Sequence, residues 1–160
     1  LGAEGGIPVR IEYRVLADGS GATAVHVRDL RGFVQRTLTL ERDTRGNWTV
    51  DGAAQRSLKG CTDVDLGCSP STNSLPIRRL GLGVGRSRTI RAAWVRFPEL
   101  TVEKVAQTYR RLDEFSYRYA SDTYEAELIV DDDGVVARYD VWERTGVAVG
   151  LDDTAPLDAR

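Results

Sequence analysis

The 160-residue chain contains no methionine, one histidine and two lysines. With His26 alone, a metal site built from several histidines is excluded within one chain. A Ser–His–Asp triad would have to use that same residue, and nothing near it resembles a nucleophile elbow. Its place on an alternating segment reads as a solvated strand histidine. Lys59 and Lys104 leave 20 of the 22 basic residues as arginine. Codon usage in a GC-rich bacterial genome explains such a bias, and bidentate recognition of carboxylate or phosphate is the functional alternative. The missing methionine implies that the native start has been removed or lies upstream.

Cysteine is scarce too. Cys61 and Cys68 cannot form a disulfide framework, and an extended chain would hold their sulfurs roughly 20 Å apart, so they read as free thiols. No long apolar run occurs, in residues 1–25 or elsewhere, so neither a signal peptide nor an integral membrane segment is expected. The cytoplasm is then the default compartment. The formal net charge is only −2, which leaves no global field to draw nucleic acid or an anionic membrane.

What the chain does have is alternation. Its length fits one domain with its own core, over 1–160, with 1–6 and 146–160 as loose ends. Ile7, Val9, Ile11, Tyr13 and Val15 fall on one face, opposite Arg10, Glu12 and Arg14, which predicts a half-buried strand. Turn residues at 17–21 lead into a second alternating run, Ala22–Arg28, and Phe33–Arg42 makes a third. Thr123–Val130 and Val135–Trp142 flank Asp-Asp-Asp-Gly, a strong hairpin signal. Between Gly52 and Gly85 lie six of the sixteen glycines, with Pro70 and Pro76. The expected fold is mainly β: a single antiparallel, highly curved sheet or barrel with a long Gly/Pro-rich central loop region. Thr101–Leu112 carries both a helical and a strand period. Pro98 and Glu103 would suit a helix start, and the local pattern leans that way.

Several constellations could carry chemistry. Gly81, Gly83 and Gly85 superficially match a dinucleotide fingerprint, but a strand-like segment follows where that motif needs a helix, so they read as a bend. Asp63 and Asp65 place two carboxylates on one side of an extended segment, where they could act as acid and base or pair with arginines. No third ligand type accompanies them, so no metal is expected. Arg78, Arg79, Arg86, Arg88, Arg91 and Arg96 fall between Ile77 and Phe97 with no acid among them, while residues 122–160 carry eleven acids against three arginines. These segments would pair across the sheet or across a homodimer, or the basic one would form a mouth for an anionic or hydroxyl-rich head group. Trp94, Tyr109, Tyr117 and Tyr119 could stack on sugars, though packing is the simpler role.

The run Gly60–Leu80 (GCTDVDLGCSPSTNSLPIRRL) is too unusual to be generic. It resembles the signature of the bacterial “putative glycolipid-binding” family. The likeness continues through 81–85, 92–100, 107–112, 128–139 and 38–52, and covers roughly residues 10–145. It implies a curved antiparallel barrel, similar in shape to the lipoprotein-localisation carriers, and it implies strand rather than helix at Thr101–Leu112. Cys68 departs from the aromatic or small residue expected there. The matching positions imply a ligand-binding set of Asp63, Asp65, Thr72, Asn73, Arg78, Arg79, Trp94, Arg96 and Tyr109. The expectation is a non-catalytic binding or carrier protein for a lipid or glycolipid, with no cofactor. An apolar cavity would take the tail, and an Arg/Asp/Asn cluster the head group. The alternatives are a structural or interaction protein whose motif only closes the barrel, and a hydrolase using Asp63 and Asp65.

Overall fold

The computed structural model describes residues 2–140 and 142–145. Thirteen strands run in chain order: β1 (Gly2–Glu4), β2 (Ile7–Ala17), β3 (Thr23–Arg31), β4 (Val34–Arg42), β5 (Trp48–Val50), β6 (Ala53–Ala54), β7 (Asp63–Leu66), β8 (Ser87–Val95), β9 (Val102–Arg111), β10 (Ser116–Ala120), β11 (Glu125–Val130), β12 (Val136–Tyr139) and β13 (Trp142–Glu143). One α-helix, α1 (Ser74–Leu80), follows a 3-10 turn at Pro70–Asn73, and a second 3-10 turn spans Arg56–Leu58. The fold is mainly β, with a strongly curled half-barrel sheet. Of the two ends expected to be loose, residues 2–4 pair with β2, and 146–160 lie outside the described residues.

Hydrogen bonding divides the strands into a six-stranded sheet, β1 to β6 in order, and a seven-stranded sheet in the order β13-β12-β11-β10-β9-β8-β7. Consecutive strands joined by short turns must pair antiparallel, and they do. The exception to the antiparallel expectation is β7 against β8, which is parallel, with Asp65 opposite Trp94. A parallel pair needs a crossover connection. The glycine- and proline-rich middle supplies it: the 3-10 turn and α1 lie between β7 and β8. Within the segment expected as loop, residues therefore also form β6, β7, both 3-10 turns and α1. Gly81 ends the helix at φ +51°, a left-handed conformation that a side chain would disfavour, and its N–H donates to the Ile77 carbonyl at 3.2 Å.

Within Thr101–Leu112, Val102–Arg111 is strand, as the family resemblance implied and against the local lean to helix. Its two edges are claimed by β8 and β10, which overrides a period that fits either element.

The β7–β8 end of the seven-stranded sheet is buried on both faces. On one, Val64, Leu66, Ala93 and Val95 pack with Val25, Val27, Leu38, Leu40 and Trp48 of the other sheet. On the opposite face Ile77 of α1 joins Tyr109, Tyr117, Tyr119, Leu128 and Val136. Leu40, Leu58, Leu66, Val95 and Tyr109 are among the fully buried side chains that fill the interior. No helix of the described residues is long and apolar enough to cross a membrane.

Candidate functional site

The crossover lays the Asp-Asn-Arg motif over the helix-covered face of the second sheet. Period-two alternation puts Asp63 and Asp65 on that face, with Ala92 and Trp94 beside them on β8 and Gln107 and Tyr109 on β9. The two carboxylates then part company. Asp63 is buried and meets Arg79 in a two-pronged ion pair, Nε to Oδ1 at 3.1 Å and Nη2 to Oδ2 at 2.5 Å. Asp65 has no such partner. Gln107 Nε2 donates to its Oδ2 at 2.6 Å, and Thr72 Oγ1 donates to its Oδ1 at 3.3 Å. Burial holds the Asp65 carboxyl above the usual carboxylate range, opposed by those two hydrogen bonds.

The network extends inward. Tyr109 Oη donates to Asn73 Oδ1 at 2.5 Å and lies 3.2 Å from Gln107 Oε1. Asn73 Nδ2 donates to the Pro70 carbonyl at 3.1 Å, which fixes the crossover turn. Burial pushes the Tyr109 hydroxyl well above the ordinary phenol range. Thr72 also accepts from the Leu66 N–H, so the turn is pinned to β7. Asp65, Thr72, Asn73, Gln107 and Tyr109 are thus one continuous buried polar cluster.

Above this cluster opens a cleft of about 590 Å³, with Asp65, Asn73 and Gln107 among its lining residues. Its walls include Trp94, Tyr119, Tyr124, Tyr139 and Trp142. Tyr119 sits edge-on to Tyr139 at 6.3 Å between centroids, and Tyr124 is 5.9 Å from Tyr139. Asp122 and Asp140 are exposed at the rim, and Tyr124 Oη donates to Asp140 Oδ2 at 3.3 Å. Cys68 also lines the cleft, and burial pushes its thiol up to about 12. Both cysteines are free.

Of the nine residues expected to bind ligand, Asp65, Asn73 and Trp94 line the cleft, while Thr72 and Tyr109 sit behind its floor. The three arginines do not line it. Arg79 is committed to Asp63. Arg96 pairs with Glu103 at 3.2 Å and stacks over the Trp94 ring, 5.4 Å from its centroid. Arg78 is exposed beside Gly134, on another surface. Among the described residues, the ion pairs of the basic 77–97 segment go to Asp63 and Glu103 rather than to the C-terminal acids. The C-terminal aromatics Tyr124, Tyr139 and Trp142 were not in the expected set. Their signal was present as rings on either side of the Asp-Asp-Asp-Gly hairpin, but nothing local tied them to Asp65. Among the described residues no group of three or more His, Cys, Asp or Glu side chains could hold a metal.

The protein is a curled β half-barrel in which a polar floor lies under an aromatic-walled cleft. The family profile described as “putative glycolipid-binding” matches residues 1–144, and the chain belongs to that family. A crystal structure of a DUF1089 family protein from Pseudomonas aeruginosa has the same fold, with a TM-score of 0.79 and 35% identity. The match covers 88% of this chain and 79% of that one. No curated protein matches the chain.

Proposed function

We propose that this chain is a non-catalytic glycolipid-binding protein whose aromatic cleft takes the sugar head group. The observation that carries this reading is the joining of ring faces and a hydrogen-bonded polar floor in one cleft. Sugars present apolar C–H faces that stack on rings, and hydroxyls that carboxyl and amide groups bind. Asp65, Asn73 and Gln107 supply the floor, and Trp94, Tyr124, Tyr139 and Trp142 the walls.

The lipid tail needs apolar surface, and the space between the sheets is filled by core side chains. A second open cleft of about 420 Å³ offers some, lined by Ile7, Val9, Val34 and Pro98 with Asp29, Arg31 and Arg36. Ile7, Phe33 and Val34 are largely exposed there or close by in sequence. Asp29 and Arg31 continue the face of Val25 and Val27 on β3, and Arg36 and Val34 that of Leu38 and Leu40 on β4, so the tail would lie at the open end of the core-facing side of the first sheet rather than in an enclosed cavity.

A hydrolase using Asp63 and Asp65 together is disfavoured by their division of labour. Asp63 is held by Arg79, so it is a poor base for a shared water.

The test is native mass spectrometry of protein purified gently from its own host, together with octyl glucoside titration followed by tryptophan fluorescence. A co-purifying lipid mass and a saturable signal that Trp94→Ala weakens about tenfold are expected, since ring stacking contributes on the order of 1 kcal/mol or more. Absence of both results overturns the reading.

A further inference from the structure

We infer that the aromatic cleft selects head groups that carry a protonated amine, such as an amino sugar, over neutral and anionic ones. The inference rests on the reading of this cleft as the head-group site. It differs from the expectation that arginines would receive an anionic head group.

Among the described residues no basic side chain lines the cleft, and its acidic ones are Asp65 at the floor and Asp122 and Asp140 at the rim. Arg96 stands against Trp94 at the edge and is already paired with Glu103. An anionic head group would therefore enter a site with like charges and no free cation directed at it. A cation meets the opposite situation. The rings of Tyr119, Tyr124 and Tyr139 cluster with centroid separations of 5.9–6.4 Å, and their negative faces attract an ammonium. Asp140 is held at this cluster by the Tyr124 hydroxyl. An amine among these rings would have a carboxylate to pair with and ring faces to lie against. Burial keeps the Tyr119 and Tyr139 hydroxyls protonated, so the rings add no competing negative charge.

Arg79 has no part in this. Its charge is spent on Asp63, which faces the helix rather than the cleft mouth. Asp65 contributes mainly as a hydrogen-bonding group for hydroxyls, since its buried position disfavours ionisation. The charge preference thus falls on Asp140 and Asp122, both exposed and both sensitive to salt.

Three octyl glycosides with the same ring and tail separate these terms: the glucosaminide, the glucoside and the glucuronide. Titrated against the full chain at pH 6.5 and low salt, where the amine is protonated and the glucuronate ionised, the glucosaminide should bind about tenfold tighter than the glucoside. The glucuronide should bind weakest. Asp140→Asn should bring the glucosaminide down to the affinity the same variant shows for the glucoside, and added salt should shrink the preference in the parent chain. Asp140 is exposed, so the variant is expected to fold, and an unchanged melting curve verifies that. Equal affinity for all three, or tightest binding of the glucuronide, overturns this inference and leaves head-group binding standing. A preference that survives Asp140→Asn together with Asp122→Asn also overturns it. Binding of none of the three overturns it along with the reading on which it rests.

Discussion

Gln107 Nε2 donates to Asp65 Oδ2 at 2.6 Å, joining β9 to β7 across the strand between them. Asp65 lies opposite Trp94 on β8, and Gln107 opposite Ile90, so the contact passes diagonally over Ala92. A small, fully buried residue at that position leaves room for the two polar side chains to meet. This bond turns a row of alternating strand residues into a floor for a cleft.

Burial, opposed by this bond and by that from Thr72, sets the pH dependence of Asp65. Its folded pKa is raised above the unfolded value, so its contribution to stability is fullest below about pH 4 and declines as pH rises through the folded pKa. Asp65→Asn removes the ionisation, and the variant should be at least as stable as the parent at pH 7, with a flatter stability curve above pH 4. Asp65→Ala should cost ~1–3 kcal/mol, because Gln107 and Thr72 lose their acceptor. Urea unfolding across a pH series reads both. An Asn variant with the parent's slope above pH 4 and lower stability at pH 7 would show that the carboxylate is ionised and stabilising in the folded protein.

Tyr109 offers a cleaner deletion. Tyr109→Phe keeps the ring packed against Tyr119 at 5.5 Å but removes the donor to Asn73. Asn73 Oδ1 is then buried without that partner, and a loss of ~1–3 kcal/mol is expected in equilibrium unfolding. Because Asn73 also holds the Pro70 carbonyl, hydrogen exchange at residues 71–74 should accelerate more than exchange in β3 or β4. Uniform acceleration across the chain would mean that the hydroxyl does not anchor the turn.

Adjacent arginines should behave differently. Arg79→Ala leaves Asp63 buried and unpaired, and should cost ~2 kcal/mol after allowing for the partly exposed guanidinium. Arg78→Ala removes an exposed side chain next to Gly134 and should stay within about 0.5 kcal/mol. Thermal melts of the two variants decide the matter, and equal effects would refute the assignment of the ion pair to Arg79 alone.

Much of this fold was legible because period two is robust. The alternation of Ile7 to Val15 and of Ala22 to Arg28 became β2 and β3, paired in register from Val9–Arg31 to Ala17–Thr23. Thr101–Leu112 was not decided locally, since its apolar spacing suits either element and only its neighbours on both edges select the strand. The floor was partly legible. Asp65, Thr72 and Asn73 share one unusual motif, while Gln107 and Tyr109 lie more than thirty residues away and join it through sheet register. The arginines misled for a physical reason. The basic run is divided among α1 (Arg78 and Arg79), the turn before β8 (Arg86), β8 itself (Arg88 and Arg91) and the residue after it (Arg96), so its charge was dispersed rather than gathered into a mouth. The rings of Tyr124, Tyr139 and Trp142 reach the cleft only because the last hairpin packs beside β10.

Cys68 gives the cleft a chemical reporter. Burial raises its pKa to about 12, so at pH 8 its thiolate fraction is on the order of 10⁻⁴, against about a quarter for an ordinary thiol. Iodoacetamide should therefore label it roughly a thousandfold more slowly than glutathione, before any steric effect. Cys61 is almost fully buried and its thiol is raised as well, so in the folded chain Cys68, which faces the cleft, is the faster of the two. Saturating octyl glycoside should slow the labelling of Cys68 further, because a head group above Asp65 covers the same lining. Trp94→Ala should weaken that protection. Peptide mapping of the alkylated sites reads both rates. Rapid labelling of Cys68 would show that burial does not suppress its thiolate, and labelling indifferent to glycoside that fluorescence shows to be bound would place the head group elsewhere on the molecule.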